Sequence, residues 1–254
     1  MTLAYDIAGS GPAVVLLHSA VCDRRMWDPQ WPALIEAGNT AIRCDFRGFG
    51  ETPTADAAHN DADDVLDLLD ALGLGAATLV ASSYGGRVAL EVAARRPQRV
   101  SALALLCAGA PSHEPTDALT GFWEREESLL DAGDIAAAVE LNLQTWLGPQ
   151  ADAAARAHVR MMQRHAFEVQ SADARKFEAV EYEFDLASIG VPALVVSGAH
   201  DLPDFGLIAA RLADLLPDAR AVELDWAGHL PNLERPAELT VVLLDFLAEP
   251  RAIG

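Results

Sequence analysis

The chain has 254 residues, 51% of them hydrophobic, and a formal net charge of −20, which suits one large domain with a core that buries a sheet on both faces. So acidic a chain excludes nucleic acid and anionic membrane as partners, since both demand a basic surface, and no apolar run approaches the roughly 20 residues that span a bilayer. Three cysteines, Cys22, Cys44 and Cys107, lie far apart without Cys-x-x-Cys spacing, which excludes a disulfide framework and predicts no metal site.

The opening Met-Thr-Leu-Ala-Tyr-Asp has neither a basic start nor a long apolar run, so a cytoplasmic protein is expected. Apolar strands are predicted at Val14 to His18 and Thr40 to Phe46, then at Ala77 to Ser82, which runs straight into Ser83-Tyr84-Gly85-Gly86 and a helix from Arg87 to Arg96. Another strand is expected at Val100 to Ala108. The next 80 or so residues carry helical periodicity and no convincing strand, with stretches at Gly121 to Ala132, Ile135 to Trp146 and Asp152 to Val169. Strands then resume at Ala193 to Ser197 and Ala219 to Leu224, and a helix opened by Pro236 closes at Glu249-Pro250. Alternation of this kind predicts an α/β fold with a mostly parallel central sheet flanked by helices. The organisation expected is a core of residues 1–110 and 188–254 and a helical cap inserted at 111–187.

The junction at Ser83 has the form of a nucleophile elbow: a strand stops, a sharp turn lifts a serine hydroxyl clear of the sheet, and a helix begins beneath it. Such an elbow needs short side chains on either side, and the usual Gly-x-Ser-x-Gly reads here Ala81-Ser82-Ser83-Tyr84-Gly85. A serine needs a base to take its proton, and the base needs an acid to hold its tautomer. Val195-Val-Ser-Gly-Ala-His-Asp201 places an aspartate beyond one late strand, and Glu223-Leu-Asp-Trp-Ala-Gly-His229 a histidine beyond the next. Ser82 competes with Ser83 as nucleophile, and Asp204 and Asp225 compete with Asp201 as acid.

With these segments, the chain resembles the α/β-hydrolase fold superfamily over essentially its whole length, and within it the capped serine esterase and lactonase branch that includes 3-oxoadipate enol-lactonases. Three more segments carry the resemblance: the loop from His18 to Trp27, the turn Asp45-Phe-Arg-Gly-Phe-Gly50, and Gly228-His-Leu-Pro-Asn-Leu-Glu-Arg-Pro236. The resemblance implies Ser83 as nucleophile, His229 as base and Asp201 as orienting acid, with the backbone N–H groups of Ala20 and Tyr84 as oxyanion hole. Ser19 stands where that loop usually has Gly. His18 is expected to be structural, Asp45 and Arg47 to fix a turn, and His200 to be a solvated loop residue. Trp123, Trp146, Met161 and Met162 are the candidate substrate-binding residues of the cap. The implied activity is cofactor-free hydrolysis of a small-molecule carboxylic ester or lactone through an acyl-enzyme. The alternatives are enol-lactonase, perhydrolase or lyase chemistry on the same triad, or a small-molecule receptor with little turnover.

Overall fold

A computed structural model describes residues 3–173, 179–180 and 182–249. Among the described residues, seven strands form one sheet: β1 (Tyr5–Gly9), β2 (Ala13–Leu17), β3 (Thr40–Cys44), β4 (Ala77–Ser82), β5 (Val100–Leu106), β6 (Ala193–Gly198) and β7 (Ala219–Leu224), in the spatial order β1-β3-β2-β4-β5-β6-β7. β1 runs antiparallel to β3, and every other pairing is parallel. Strands β2 and β4 read as unbroken Ala, Val, Leu and Thr runs because both of their faces are covered, so alternation has no use there. The edge strand β7 instead leaves Arg220, Ala221 and Glu223 exposed.

The helices are α1 (Trp31–Glu36), α2 (Asp61–Ala71), α3 (Tyr84–Arg95), α4 (Asp117–Asp131), α5 (Ile135–Trp146), α6 (Ala153–Ala172), α7 (Pro203–Leu215), α8 (Pro231–Glu234) and α9 (Pro236–Ala248). Helices α4, α5 and α6 follow one another between β5 and β6. Each starts on its own cap: the side chains of Thr116, Asp134 and Asp152 accept hydrogen bonds from the N–H groups of Leu119, Ala137 and Ala155. Residues 174–178 and 181 of the expected cap, like residues 1–2 and 250–254 of the expected core, lie outside the described residues.

The chain order reverses between β2 and β4, where the early strands build outward one way and the later strands the other. A crevice at the C-terminal ends of the strands forms at such a switch point. Helix α3 lies hard against this crevice: a Cβ on Gly85 would stand 2.7 Å from the carbonyl oxygens of Leu17 and His18, and one on Gly86 would stand 2.5 Å from Ala108 Cβ. Only glycine permits that approach. No helix among the described residues is long and apolar enough to cross a membrane.

Candidate active site

Ser83 is the one residue between β4 and α3, and its backbone sits at φ 52°, ψ −114°, in a region that side chains rarely occupy. Backbone bonds hold it there. Its N–H donates to Leu106 O, and its carbonyl accepts from Gly86 N–H and Gly109 N–H, all at 2.9 Å. The side chain thereby reaches a cavity of about 580 Å³. Ser82, one residue earlier, is fully buried in the sheet, its Oγ without a hydrogen-bond partner among the described residues.

His229 and Asp201 arrive from the next loops along the same edge of the sheet, after β7 and β6. Their rings and carboxylates meet: His229 Nδ1 lies 2.6 Å from Asp201 Oδ2, with the side chains only 2% and 1% exposed. Asp201 Oδ1 also accepts from Leu202 N–H at 2.7 Å. With Nδ1 donating to the carboxylate, Nε2 keeps its lone pair, and His229 lines the same cavity as Ser83. The His229 ring packs against Trp146 at 4.6 Å and Phe205 at 4.2 Å between ring centroids, which keeps water from the buried pair. Its backbone N–H donates to Trp146 O at 3.1 Å.

The rival acids are elsewhere. Asp225 is exposed. Asp204 is buried and accepts from Thr116 N–H (2.8 Å), Thr116 Oγ1 (2.5 Å) and His113 Nε2 (2.7 Å), so it ties the start of α4 to α7. Those hydrogen bonds outweigh the burial that opposes them and hold its carboxyl below the ordinary aspartate value. His200 is exposed. Asp45 takes the N–H groups of Arg24 (2.8 Å) and Glu51 (2.9 Å), and Arg47 grips Asp64 with two bonds of 2.6 Å, so both fix loops.

Ala20 and Tyr84 line the cavity on either side of Ser83. His18 sits beneath this loop, fully buried, with Nδ1 donating to Ser19 O at 2.8 Å and Nε2 accepting from Phe46 N–H at 2.9 Å. Both bonds require a neutral ring, and burial pushes its pKa down. The Tyr84 phenol donates to Asp61 at the start of α2.

Of the four cap residues expected to bind substrate, two line the cavity: Trp146, which is buried, and Trp123, which is half exposed. Met161 and Met162 do not. Gln163, Phe167 and Gln170 take the cavity-facing stripe of α6 at i, i+4 and i+7. Met162, about 100° round the helix from Gln163, is fully buried core, and Met161 lines a separate 250 Å³ depression with Arg24, Arg25 and His165. The cavity also holds polar groups that the sequence reading passed over: Glu126 on α4, Asn142 on α5 and Gln163 on α6. Their signal is a polar residue on an otherwise apolar stripe, as in Leu119, Phe122, Glu126.

Cys107 Sγ and donor atoms of Asp201 and His229 lie within 4.8 Å of one another. Burial pushes the thiol well above its ordinary pKa, while Asp201 and His229 are already committed to each other.

A serine at a strained strand-to-helix turn, lining one cavity with a histidine that pairs a buried carboxylate, is the kind of arrangement found in hydrolases built on a nucleophile elbow. The alpha/beta hydrolase family model matches residues 14–241, and the chain belongs to that family. A Variovorax paradoxus (strain S110) protein that carries the name carbamate hydrolase is 33% identical over all of this chain and 99% of its own length. The enol-lactonase of Burkholderia xenovorans LB400 superposes with a TM-score of 0.78 at 29% identity, covering 97% of this chain and 96% of its own. An esterase of Exiguobacterium antarcticum, with a TM-score of 0.82 at 20% identity over 97% and 96% of the two chains, shares the fold.

Proposed function

We propose that this hydrolase cleaves small carboxylic esters, lactones or carbamates through an acyl-enzyme on Ser83. The observation that carries the reading is the buried 2.6 Å His229–Asp201 pair, whose histidine lines a cavity that Ser83 also lines. In the first step Ser83 Oγ bonds to the substrate carbonyl carbon as its proton passes to His229 Nε2. The oxyanion accepts from the N–H groups of Ala20 and Tyr84. Collapse expels the alcohol or amine, which takes the proton from Nε2, and water then repeats the cycle on the acyl-enzyme with His229 again as base. Asp201 holds the imidazole in the reactive tautomer and offsets its transient charge. Residues 111–187 act as the cap, roofing the cavity with the faces of α4, α5 and α6. The names of the carbamate hydrolase and the enol-lactonase support this range of acyl substrates.

The test is turnover on a panel of p-nitrophenyl esters, lactones and carbamates with labelling by a fluorophosphonate. Ser83→Ala is expected to lose about 10⁴-fold or more in kcat and all labelling, while Ser82→Ala keeps both. Asp201→Asn is expected to lower kcat by about 10⁴-fold with the fold intact. Labelling that survives Ser83→Ala would end the proposal, and slow stoichiometric acylation without turnover would make the chain a receptor.

A further inference from the structure

The cavity wall is largely aromatic and aliphatic, yet Arg87 on α3, Glu126 on α4, Asn142 on α5 and Gln163 and Gln170 on α6 also line it. Asn142 donates through Nδ2 to Glu126 Oε1 at 2.5 Å and accepts at Oδ1 from Trp146 Nε1 at 3.0 Å, so Glu126, Asn142 and Trp146 form a chain that ends on the His229 ring. Burial pushes the Glu126 carboxyl above its ordinary pKa, against the pull of Asn142. Gln163 is different. It is 3% exposed and lines the cavity, and its Oε1 has no hydrogen-bond partner among the described residues. A buried amide oxygen without a partner is destabilising, and its persistence inside a ligand cavity points to a partner that arrives with the ligand. A half-turn of the amide about χ3 exchanges its oxygen and nitrogen at almost constant shape, so Gln163 can offer either an acceptor or a donor to a bound group.

A polar partner with both donor and acceptor matches this best. Acidic Glu126 and basic Arg87 both line the cavity, so its wall selects neither an anion nor a cation, and a neutral group that carries an N–H and a carbonyl is the match. We propose that the part of the cavity roofed by α4, α5 and α6 is a subsite for a neutral amide carried on the acyl portion of the substrate, with Gln163 as its hydrogen-bonding partner. This rests on the acyl-transfer reading above and narrows it: the preferred ester, lactone or carbamate bears an amide N–H some way from the scissile carbonyl.

The experiment compares p-nitrophenyl esters of N-acetylglycine, N-acetyl-β-alanine and N-acetyl-γ-aminobutyrate with alkanoates of equal chain length and with the N-methylated amides. The wild type is expected to favour the amide by about tenfold or more in kcat/KM at one spacing at least, and to lose that preference on N-methylation, because a site that hydrogen-bonds its substrate rejects the analogue lacking the group. Gln163→Leu is expected to cut the amide-to-alkanoate ratio by about tenfold. The same discrimination is read without turnover from the melting-temperature shift that each ester gives Ser83→Ala with and without Gln163→Leu. Equal ratios in wild type and Gln163→Leu, or a wild type that prefers alkanoates at every spacing, overturn the subsite. Absent turnover with the binding difference retained would overturn the hydrolytic reading and leave the subsite standing. Wild-type ratios decide the matter even where Gln163→Leu fails to fold.

Discussion

Ser83 occupies a backbone conformation that costs on the order of 1–3 kcal/mol, and two of the bonds that hold it come from β5 and from the loop after it rather than from the elbow itself. That division explains why the elbow is legible in ten residues while its support is not: small residues at 81, 85 and 86 are a local pattern, but Leu106 and Gly109 become partners only through the sheet. The positions of Ser83, Asp201 and His229 were equally legible because each follows a strand. Gln163 was not, since a polar residue in an amphipathic helix is read as facing solvent, and only the packing of α6 on the cavity reverses that inference. His18 carries a pH prediction. Both of its ring nitrogens are used in the neutral form and burial lowers its pKa from 6.5, so the unfolded chain binds the extra proton first and stability falls as pH drops below that value. The urea midpoint of the wild type should decline between about pH 6.5 and 5 more steeply than that of His18→Asn. Parallel curves would remove His18 from the account. The comparison with the variant is needed because burial raises the Asp61 and Glu234 carboxyls, and those groups gain stability as pH falls.

At the level of whole elements, the sequence showed six strands of the seven. The missing one, β1, is Tyr-Asp-Ile-Ala-Gly, exposed and half-buried in turn on the sheet's antiparallel edge, and without a long apolar run it gives little periodic signal. Helix α4 begins at Asp117 rather than Gly121 because Thr116 caps it while also bonding Asp204. That second role makes Asp204 the fastener between α4 and α7, where the sequence offered it as a rival acid. Asp204→Ala leaves Thr116 N–H, Thr116 Oγ1 and His113 without their acceptor and is expected to cost about 3 kcal/mol of stability. If the fastener also positions α4, KM for long acyl chains should rise more than kcat falls. Thermal or urea unfolding checks the first point and ester kinetics the second. A collapse of kcat with KM unchanged would make Asp204 part of the chemistry after all.

For the molecule as a whole, a net charge of −20 sets a repulsive field around the cavity mouth that screening weakens, with a Debye length of about 10 Å at 0.1 M salt. The value of kcat/KM for an anionic substrate such as the p-nitrophenyl hemisuccinate should therefore climb with ionic strength, while that for the neutral butyrate stays flat. Equal salt responses would show that the field does not reach the entrance. One backbone bond has a kinetic meaning of its own. The N–H of His229 is held by the carbonyl of Trp146, the last residue of α5, which ties the histidine loop to the end of that helix. Any motion that lifted α5 would break that bond and shift His229. On the α4 side, by contrast, the cavity wall reaches solvent at half-exposed Trp123. Hydrogen exchange should register the difference as a slow His229 amide, released only with the unfolding of α5, beside faster amides along α4.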